Sequence, residues 1–121
     1  NQAFRDLDWL RSPFNGLQHV HGYQSYPCLF EPQPIKSHLV EEINGRRNSW
    51  MDALQKDGIS TRPATHAVHM LSFYKRKYKL NPEDFPNAFI AEQCSISLPL
   101  FDGMNESEQD YVIAKVLEYK Y

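Results

Sequence analysis

The sequence is poor in the features that mark secreted, membrane and nucleic-acid-binding proteins. Its 121 residues include two cysteines, Cys28 and Cys94, which are too few for a disulfide scaffold and typical of small buried side chains in a reducing compartment. No apolar run approaches the about 20 residues that cross a bilayer, and residues 1–10 lack the pattern of a signal peptide. The formal net charge of -2 provides no general attraction to nucleic acid. We therefore expect a cytoplasmic protein whose partners include neither a membrane nor a nucleic acid.

Short catalytic motifs are also missing. The sequence contains no P-loop, no glycine-rich dinucleotide fingerprint and no nucleophile elbow. Ser72 and Lys75 have the serine–lysine spacing of penicillin-recognising acylases, but the companion elements of those enzymes are absent. None of these motifs therefore supplies a catalytic residue.

What is present suits one small domain over residues 1–121. The apolar content of 41% is enough for a modest core, and we find no repeat or internal boundary. The residue patterns predict an α+β fold, in which a small, mostly antiparallel sheet has helices packed on one side. The predicted helices are residues 1–10, 38–57, 68–78, 86–93 and 106–119, and the predicted strands are residues 23–30, 59–62 and 95–98.

Several helix ends carry recognisable signals. Ser37 is a candidate N-cap for the second helix, Gly58 is its expected C-terminal stop, and residues 44–45 suggest a break within it. Asn105 and Glu108 have the spacing of a capping box at the start of the last helix.

Residues 58–69, with the sequence GISTRPATHAVH, form the most polar and ligand-capable segment. The chain has five histidines, and four of them form the pairs His19/His21 and His66/His69. Members of each pair would share a face of a strand or of a helix, which is one argument for a zinc site. Because no cysteine or carboxylate lies at ligand spacing beside either pair, the alternative is that these loop histidines bind substrate or face solvent.

Two groups of cations are also candidates for ligand contacts. Arg62 leaves a short strand immediately before a proline, so its guanidinium has a defined direction in which to hold a carboxylate or phosphate. An ordinary surface ion pair is the alternative for Arg62. The basic run from Lys75 to Lys79 suits phosphates, although such a run on an amphipathic helix is usually a solvated face.

Two segments, in this order, resemble the end of the DegT/DnrJ/StrS family of sugar aminotransferases. They are GISTRPATHAVH at residues 58–69 and FPNAFIAEQCSISLPLFDGMNESEQDYVIAKVL at residues 85–117. HGYQSYPCLF at residues 21–30 is similar to a strand of that family that begins with histidine. The resemblance covers about residues 10–117. It implies the C-terminal small domain of a fold-type I enzyme that depends on pyridoxal phosphate.

The resemblance also implies an activity and a site. The whole enzyme would transfer an amino group from glutamate to a nucleotide-linked keto-sugar, as a homodimer. Its cofactor-holding lysine would lie in a large domain upstream, so this chain alone would bind no cofactor and would be inactive. The small domain would help to form the substrate pocket through Arg62, His66, His69 and Tyr74. His69 matches the family motif directly, whereas His66 stands at a substituted position.

Two further hypotheses belong to different classes of protein. One is a stand-alone module that binds a small ligand or a metal through the same histidines. The other is a degenerate interaction domain derived from an aminotransferase. The start at Asn1, without methionine, favours a fragment of a larger enzyme, and a fragment would expose an apolar surface through which it self-associates.

Overall fold

The computed structural model describes residues 1–14 and 16–120. It confirms the α+β class, because four helices accompany one small antiparallel sheet. The helices are α1 (Val40–Lys56), α2 (Ser72–Tyr78), α3 (Pro86–Cys94) and α4 (Glu106–Leu117), and the strands are β1 (Leu10–Arg11), β2 (Tyr26–Phe30) and β3 (Ser95–Leu98). Short 3-10 turns occupy Gln2–Phe4, Ser37–Leu39, Val68–Met70 and Pro82–Asp84.

The three strands lie in the order β1-β2-β3, and both neighbouring pairs are antiparallel. Leu10 lies opposite Phe30, and Cys28 lies opposite Ile96. All four residues of β3 are buried. Because an isolated bridge joins Arg62 to Ser97, the outer edge of β3 is also covered.

An aromatic cluster forms the centre of the core. Trp9, Phe30 and Trp50 are each at most 5% exposed. The rings of Trp9 and Trp50 meet edge to face with centroids 5.1 Å apart, and Phe30 stacks on Trp50 at 5.6 Å. Tyr119 closes the cluster from the end of the chain, 5.2 Å from Trp50. Burial of such large rings is the main source of stability in a domain of this size.

Helix α1 ends as its sequence indicates. Gly58 adopts a positive φ of 79°, which is open to glycine and strained for other residues. The Gly58 amide donates to the Gln55 carbonyl, and the Ile59 amide donates to the Leu54 carbonyl. These two bonds form a Schellman motif. Ile59 and Leu54, which hold the two positions of its usual apolar contact, are both buried in the core. The motif fixes the direction in which the chain enters the GISTR segment.

The prediction of a helix over residues 1–10 is wrong. Only Gln2–Phe4 makes a 3-10 turn, and Leu10 and Arg11 form strand β1. Leu10 pairs with Phe30, and the Glu31 amide donates to the Trp9 carbonyl at 2.7 Å. Pairing with a strand twenty residues away outweighs the local spacing of apolar residues, because it buries both Trp9 and Leu10.

Details of the second and third predicted helices also differ. Ser37 lies inside a 3-10 turn and caps no helix, since α1 begins at Val40 without a side-chain cap. The expected break at residues 44–45 is absent, because α1 runs through them. The helix predicted for residues 68–78 is divided at Leu71, whose backbone is extended, with ψ of 133°.

The last predicted strand and helix are largely confirmed. Strand β3 has the predicted bounds, and α4 starts with the predicted capping box of Asn105 and Glu108. Val116 is buried as expected, whereas Leu117 is 50% exposed. Residues 59–62 form no continuous strand, and only Arg62 makes a bridge.

Candidate functional site

A cleft of about 790 Å³ lies between the two segments that the sequence singles out. One wall is residues 58–62, and the other is residues 97–112, with contributions from residues 24–25. The polar side chains on its lining include Ser60, Thr61, Arg62, Ser97, Asn105, Ser107 and Glu108. Leu100, Phe101, Met104 and Tyr111 are among the apolar and aromatic residues that line it. The cleft therefore combines a single cation with several hydroxyl groups and apolar patches.

Two hydrogen bonds to strand β3 hold the backbone around Arg62. The Ser97 amide donates to the Arg62 carbonyl at 2.7 Å, and the Ala64 amide donates to Oγ of Ser95 at 3.1 Å. Both serines are buried. Because the backbone on either side of Pro63 is attached to the sheet, the Arg62 side chain leaves from a defined point.

The Arg62 guanidinium remains available for a ligand. Its side chain is exposed, and no carboxylate forms an ion pair with it in residues 1–14 and 16–120. An arginine beside a polar cleft suits a phosphate or a carboxylate, which accepts two parallel hydrogen bonds from the guanidinium.

The opposite wall is built by the start of α4. Gly103, at a φ of 81°, turns the chain before the helix. The Glu108 amide donates to Oδ1 of Asn105, and the Asn105 amide donates to Oε2 of Glu108, each at 2.9 Å. Because the Glu108 carboxylate accepts this bond, it is committed to the cap. The Tyr111 hydroxyl donates to the Asp57 carbonyl at 3.0 Å and so joins the two walls at one end.

The four residues predicted to line a substrate pocket do not all lie on this cleft. Arg62 lines it, whereas His66, His69 and Tyr74 lie outside its lining. The His66 side chain is 75% exposed, with Nδ1 3.6 Å from Oε1 of Glu92. Tyr74 is half-exposed on α2 and packs in parallel with Tyr78.

His69 occupies a different environment from the other three residues. It is 6% exposed, and its ring centroid lies 5.2 Å from that of Phe85. Its Nε2 atom is buried and lacks a hydrogen-bond partner among the described residues. Buried polar atoms normally have a hydrogen-bond partner, so this nitrogen can still donate or accept one hydrogen bond. Its role as a pocket residue stays a prediction.

Comparison with known proteins identifies the family. Residues 15–117 match the model of the DegT/DnrJ/EryC1/StrS aminotransferase family. The chain belongs to this family. The spore coat polysaccharide biosynthesis protein SpsC of Bacillus subtilis is 27% identical to the chain over 116 residues. The match covers 94% of the chain and 28% of SpsC.

Solved structures of aminotransferases share the fold of the aminotransferase-family chain. PseC of Helicobacter pylori, an aminotransferase involved in the biosynthesis of pseudoaminic acid, superposes with a TM-score of 0.79 at 17% identity, over 97% of this chain and 29% of PseC. Spr1654 of Streptococcus pneumoniae, in its PMP-form, has a TM-score of 0.73 at 21% identity, over 93% of this chain and 26% of that protein. The chain thus spans between a quarter and a third of the length of these proteins.

The two cysteines of the aminotransferase-family chain take no part in the cleft. Both are buried, and burial raises the pKa of the Cys28 thiol to about 12 and that of the Cys94 thiol to about 11. A thiol with such a pKa stays protonated near neutral pH and is a poor nucleophile. The interpretation of both as small buried side chains is confirmed.

The histidine pairs do not assemble with other ligands. Within the part of the chain that the structure describes, no three histidine, cysteine, aspartate or glutamate side chains come together as a metal site would require. In the same part of the chain, no helix is long and apolar enough to cross a membrane.

Several residues that line or support the cleft were missed by sequence reasoning. Ser95 and Ser97 alternate with Ile96 and Leu98 in β3, a pattern that places both serines on one face of the strand. This alternation is a usable signal, because residues 62–64 bind beside both serines. The Ser97 amide donates to the Arg62 carbonyl at the outer edge of β3, and Oγ of Ser95 accepts from the Ala64 amide. Tyr111 carried no signal, since its partner Asp57 lies in a distant turn.

Proposed function

We propose that this chain is the C-terminal small domain of a sugar aminotransferase that depends on pyridoxal phosphate. The complete enzyme transfers an amino group from glutamate to a nucleotide-linked keto-sugar, and this domain helps to form the substrate pocket. It acts in the cytoplasm as a homodimer. The observation that carries the proposal is the family match over residues 15–117, which includes both segments that meet at the cleft.

The lysines of this chain do not fit a covalent cofactor site. A lysine that holds pyridoxal phosphate is usually enclosed, because burial depresses its pKa and makes it nucleophilic. No lysine is buried in the described ranges, 1–14 and 16–120. Lys115, which is partly buried, is paired with Glu118 at 2.9 Å, and this hydrogen bond raises its pKa. These features support a cofactor site elsewhere in the complete enzyme, so we assign this chain no step of the reaction.

The role that remains for this chain is to bind and orient the substrate. The Arg62 guanidinium and the hydroxyls of Ser60 and Thr61 supply hydrogen-bonding groups for the sugar part of the substrate. The His66 imidazole and the Tyr74 hydroxyl, which lie later in the chain, are further polar groups that we propose for the pocket. His69, which packs on Phe85, completes the set of proposed pocket residues.

Replacement of Arg62 tests this role in the natural protein that carries the segment. If Arg62 contacts the sugar part of the substrate in both the ground and transition states, Arg62→Ala raises KM for the nucleotide-sugar by about tenfold and leaves kcat nearly unchanged. Arg5→Ala removes an exposed arginine of the first turn and is the matched control. If the two variants have equal KM values, Arg62 does not contact the substrate. An absence of amino transfer in the unmodified protein would refute the proposed function itself.

A further inference from the structure

Helix α2 displays a strip of aromatic surface that the described chain leaves uncovered. Phe73, Tyr74 and Tyr78 are 58%, 39% and 56% exposed, and no residue of the helix is buried. The rings of Tyr74 and Tyr78 lie 13° from parallel, with centroids 6.4 Å apart, and Phe73 meets Tyr74 edge on. The helix therefore leaves its aromatic side chains largely exposed to solvent instead of contributing them to the core.

Four cations are interleaved with this strip, at Lys75, Arg76, Lys77 and Lys79. The Lys77 ammonium lies 5.4 Å from the ring centroid of Phe73 and 5.2 Å from that of Tyr78. All four side chains are exposed, and within residues 1–14 and 16–120 no carboxylate forms an ion pair with any of them. This concentration of positive charge stands out in a chain whose formal net charge is -2.

We propose that the surface of α2 binds the nucleoside diphosphate part of the substrate. The planar base stacks on the rings of Tyr74 and Tyr78, and the phosphates accept hydrogen bonds from Lys75, Arg76 or Lys79. Every base has a face that stacks on an aromatic ring, and phosphate oxygens are strong acceptors for ammonium and guanidinium groups. The choice of a nucleotide rests on the proposed function, whereas the choice of α2 rests on the geometry of its side chains.

The cations distinguish this surface from one that only docks an apolar partner. Burial of four unpaired charges against an apolar surface costs far more than the aromatic strip returns. A single-stranded nucleic acid has the same chemistry as a nucleotide, but proteins bind it along a charged groove that follows several nucleotides. A helix of seven residues has room for about one base and its phosphates.

Nuclear magnetic resonance of the isotope-labelled chain tests the proposal with three probes: UDP, uridine and inorganic pyrophosphate. We expect UDP to shift the backbone amide signals of residues 72–79, and to bind at least about fivefold more tightly than uridine or pyrophosphate, because each of these has only half of the complementary chemistry. Tyr78→Ala and Lys75→Gln each raise the Kd for UDP by about fivefold or more. Phe14→Ala and Lys56→Gln remove an exposed ring and an exposed charge elsewhere, and leave the Kd unchanged.

Three outcomes overturn the proposal. If UDP shifts the backbone amide signals of residues outside 72–79, the nucleotide binds elsewhere. The same conclusion follows if the α2 variants leave the Kd for UDP unchanged. A short oligodeoxythymidine that binds much more tightly than UDP, with contacts along α2, would identify a nucleic-acid surface instead. Amino transfer by the natural protein is measured separately, so its loss would refute the proposed function while the α2 titration still reports on the nucleotide.

Discussion

The Arg47 guanidinium is buried against the first residue of strand β3, where its Nη1 donates to the Ser95 carbonyl at 2.9 Å. One turn earlier in α1, Nδ2 of the Asn44 side chain donates to the Gln93 carbonyl at 2.8 Å. These two side chains fasten α1 to the junction between α3 and β3. Since Ser95 and Ser97 in turn hold the backbone around Arg62, this contact sets the position of one wall of the cleft.

Truncation of Arg47 is expected to be strongly destabilising. Arg47 is 3% exposed, so Arg47→Ala leaves a cavity and an unpaired carbonyl, and we expect a loss of about 2–4 kcal/mol in the free energy of unfolding. Arg47→Met retains the apolar stem and should lose only about 1–2 kcal/mol. Urea denaturation of both variants measures the difference.

The neighbouring arginine provides the control for Arg47. Arg46 is partly exposed and lies 4.0 Å from the Glu42 carboxylate on the surface of the same helix. Arg46→Ala should cost less than about 1 kcal/mol, as expected for a surface pair. If Arg47→Ala is no more destabilising than Arg46→Ala, the buried contact to Ser95 does not support the cleft wall.

Alanine substitutions at two glycines of the same helix region should have opposite effects. Gly58 has a φ of 79°, so Gly58→Ala introduces backbone strain and should cost about 1 kcal/mol. Gly45 lies inside α1, where a methyl group on its Cα would meet no neighbouring side chain within 4 Å, so Gly45→Ala should add about 0.5–1 kcal/mol of stability. The midpoint temperature of thermal unfolding, Tm, should fall for Gly58→Ala and rise for Gly45→Ala. A higher Tm for Gly58→Ala would rule out the Schellman motif.

The buried thiols should make the protein less stable at alkaline pH. Burial raises the pKa of Cys28 to about 12 and of Cys94 to about 11, whereas a thiol in the unfolded chain titrates near about 8.5. The unfolded state therefore loses protons that the folded state retains, and stability falls as pH rises from about 9 through these folded pKa values. Each thiol contributes a slope of up to about 1.4 kcal/mol per pH unit.

Denaturation midpoints between pH 8 and about 11 measure this slope. Burial also raises the pKa of Tyr26 and Tyr119, so these tyrosines add a slope of the same sign at higher pH. The double variant Cys28→Ala, Cys94→Ala should retain the tyrosine contribution and lose the thiol contribution. An unchanged slope in that variant would show that the thiols are not the cause.

Local sequence signals were sufficient for some elements of the fold. The ends of α1 and α4 follow from Gly58 and from the capping box of Asn105 with Glu108, because these signals act within one turn of the helix. Strand β1 could not be predicted in this way. Leu10 is extended only because it pairs with Phe30, and no pattern within ten residues of it reports that pairing.

The candidate site was predictable in part for the same reason. The polar segment with Arg62 and the segment at residues 97–108 are both visible in the sequence, and the structure brings them together at one cleft. The sequence did not reveal that Arg62 lines the cleft while Tyr74 lies outside it. The position of Tyr74 depends on Leu71, an extended residue between the 3-10 turn and α2. The burial of His69 depends similarly on Phe85, which comes from a later turn.

The most direct test of the proposed function is the fate of a labelled nitrogen atom. The natural protein that carries this segment is incubated with ¹⁵N-glutamate and a nucleotide-linked keto-sugar, and both products are followed by mass spectrometry. We expect a ¹⁵N-labelled amino sugar and 2-oxoglutarate in equal amounts. Pyridoxal phosphate bound to the protein, together with no ¹⁵N-labelled amino sugar from any nucleotide-linked keto-sugar supplied, would contradict the assignment as a sugar aminotransferase.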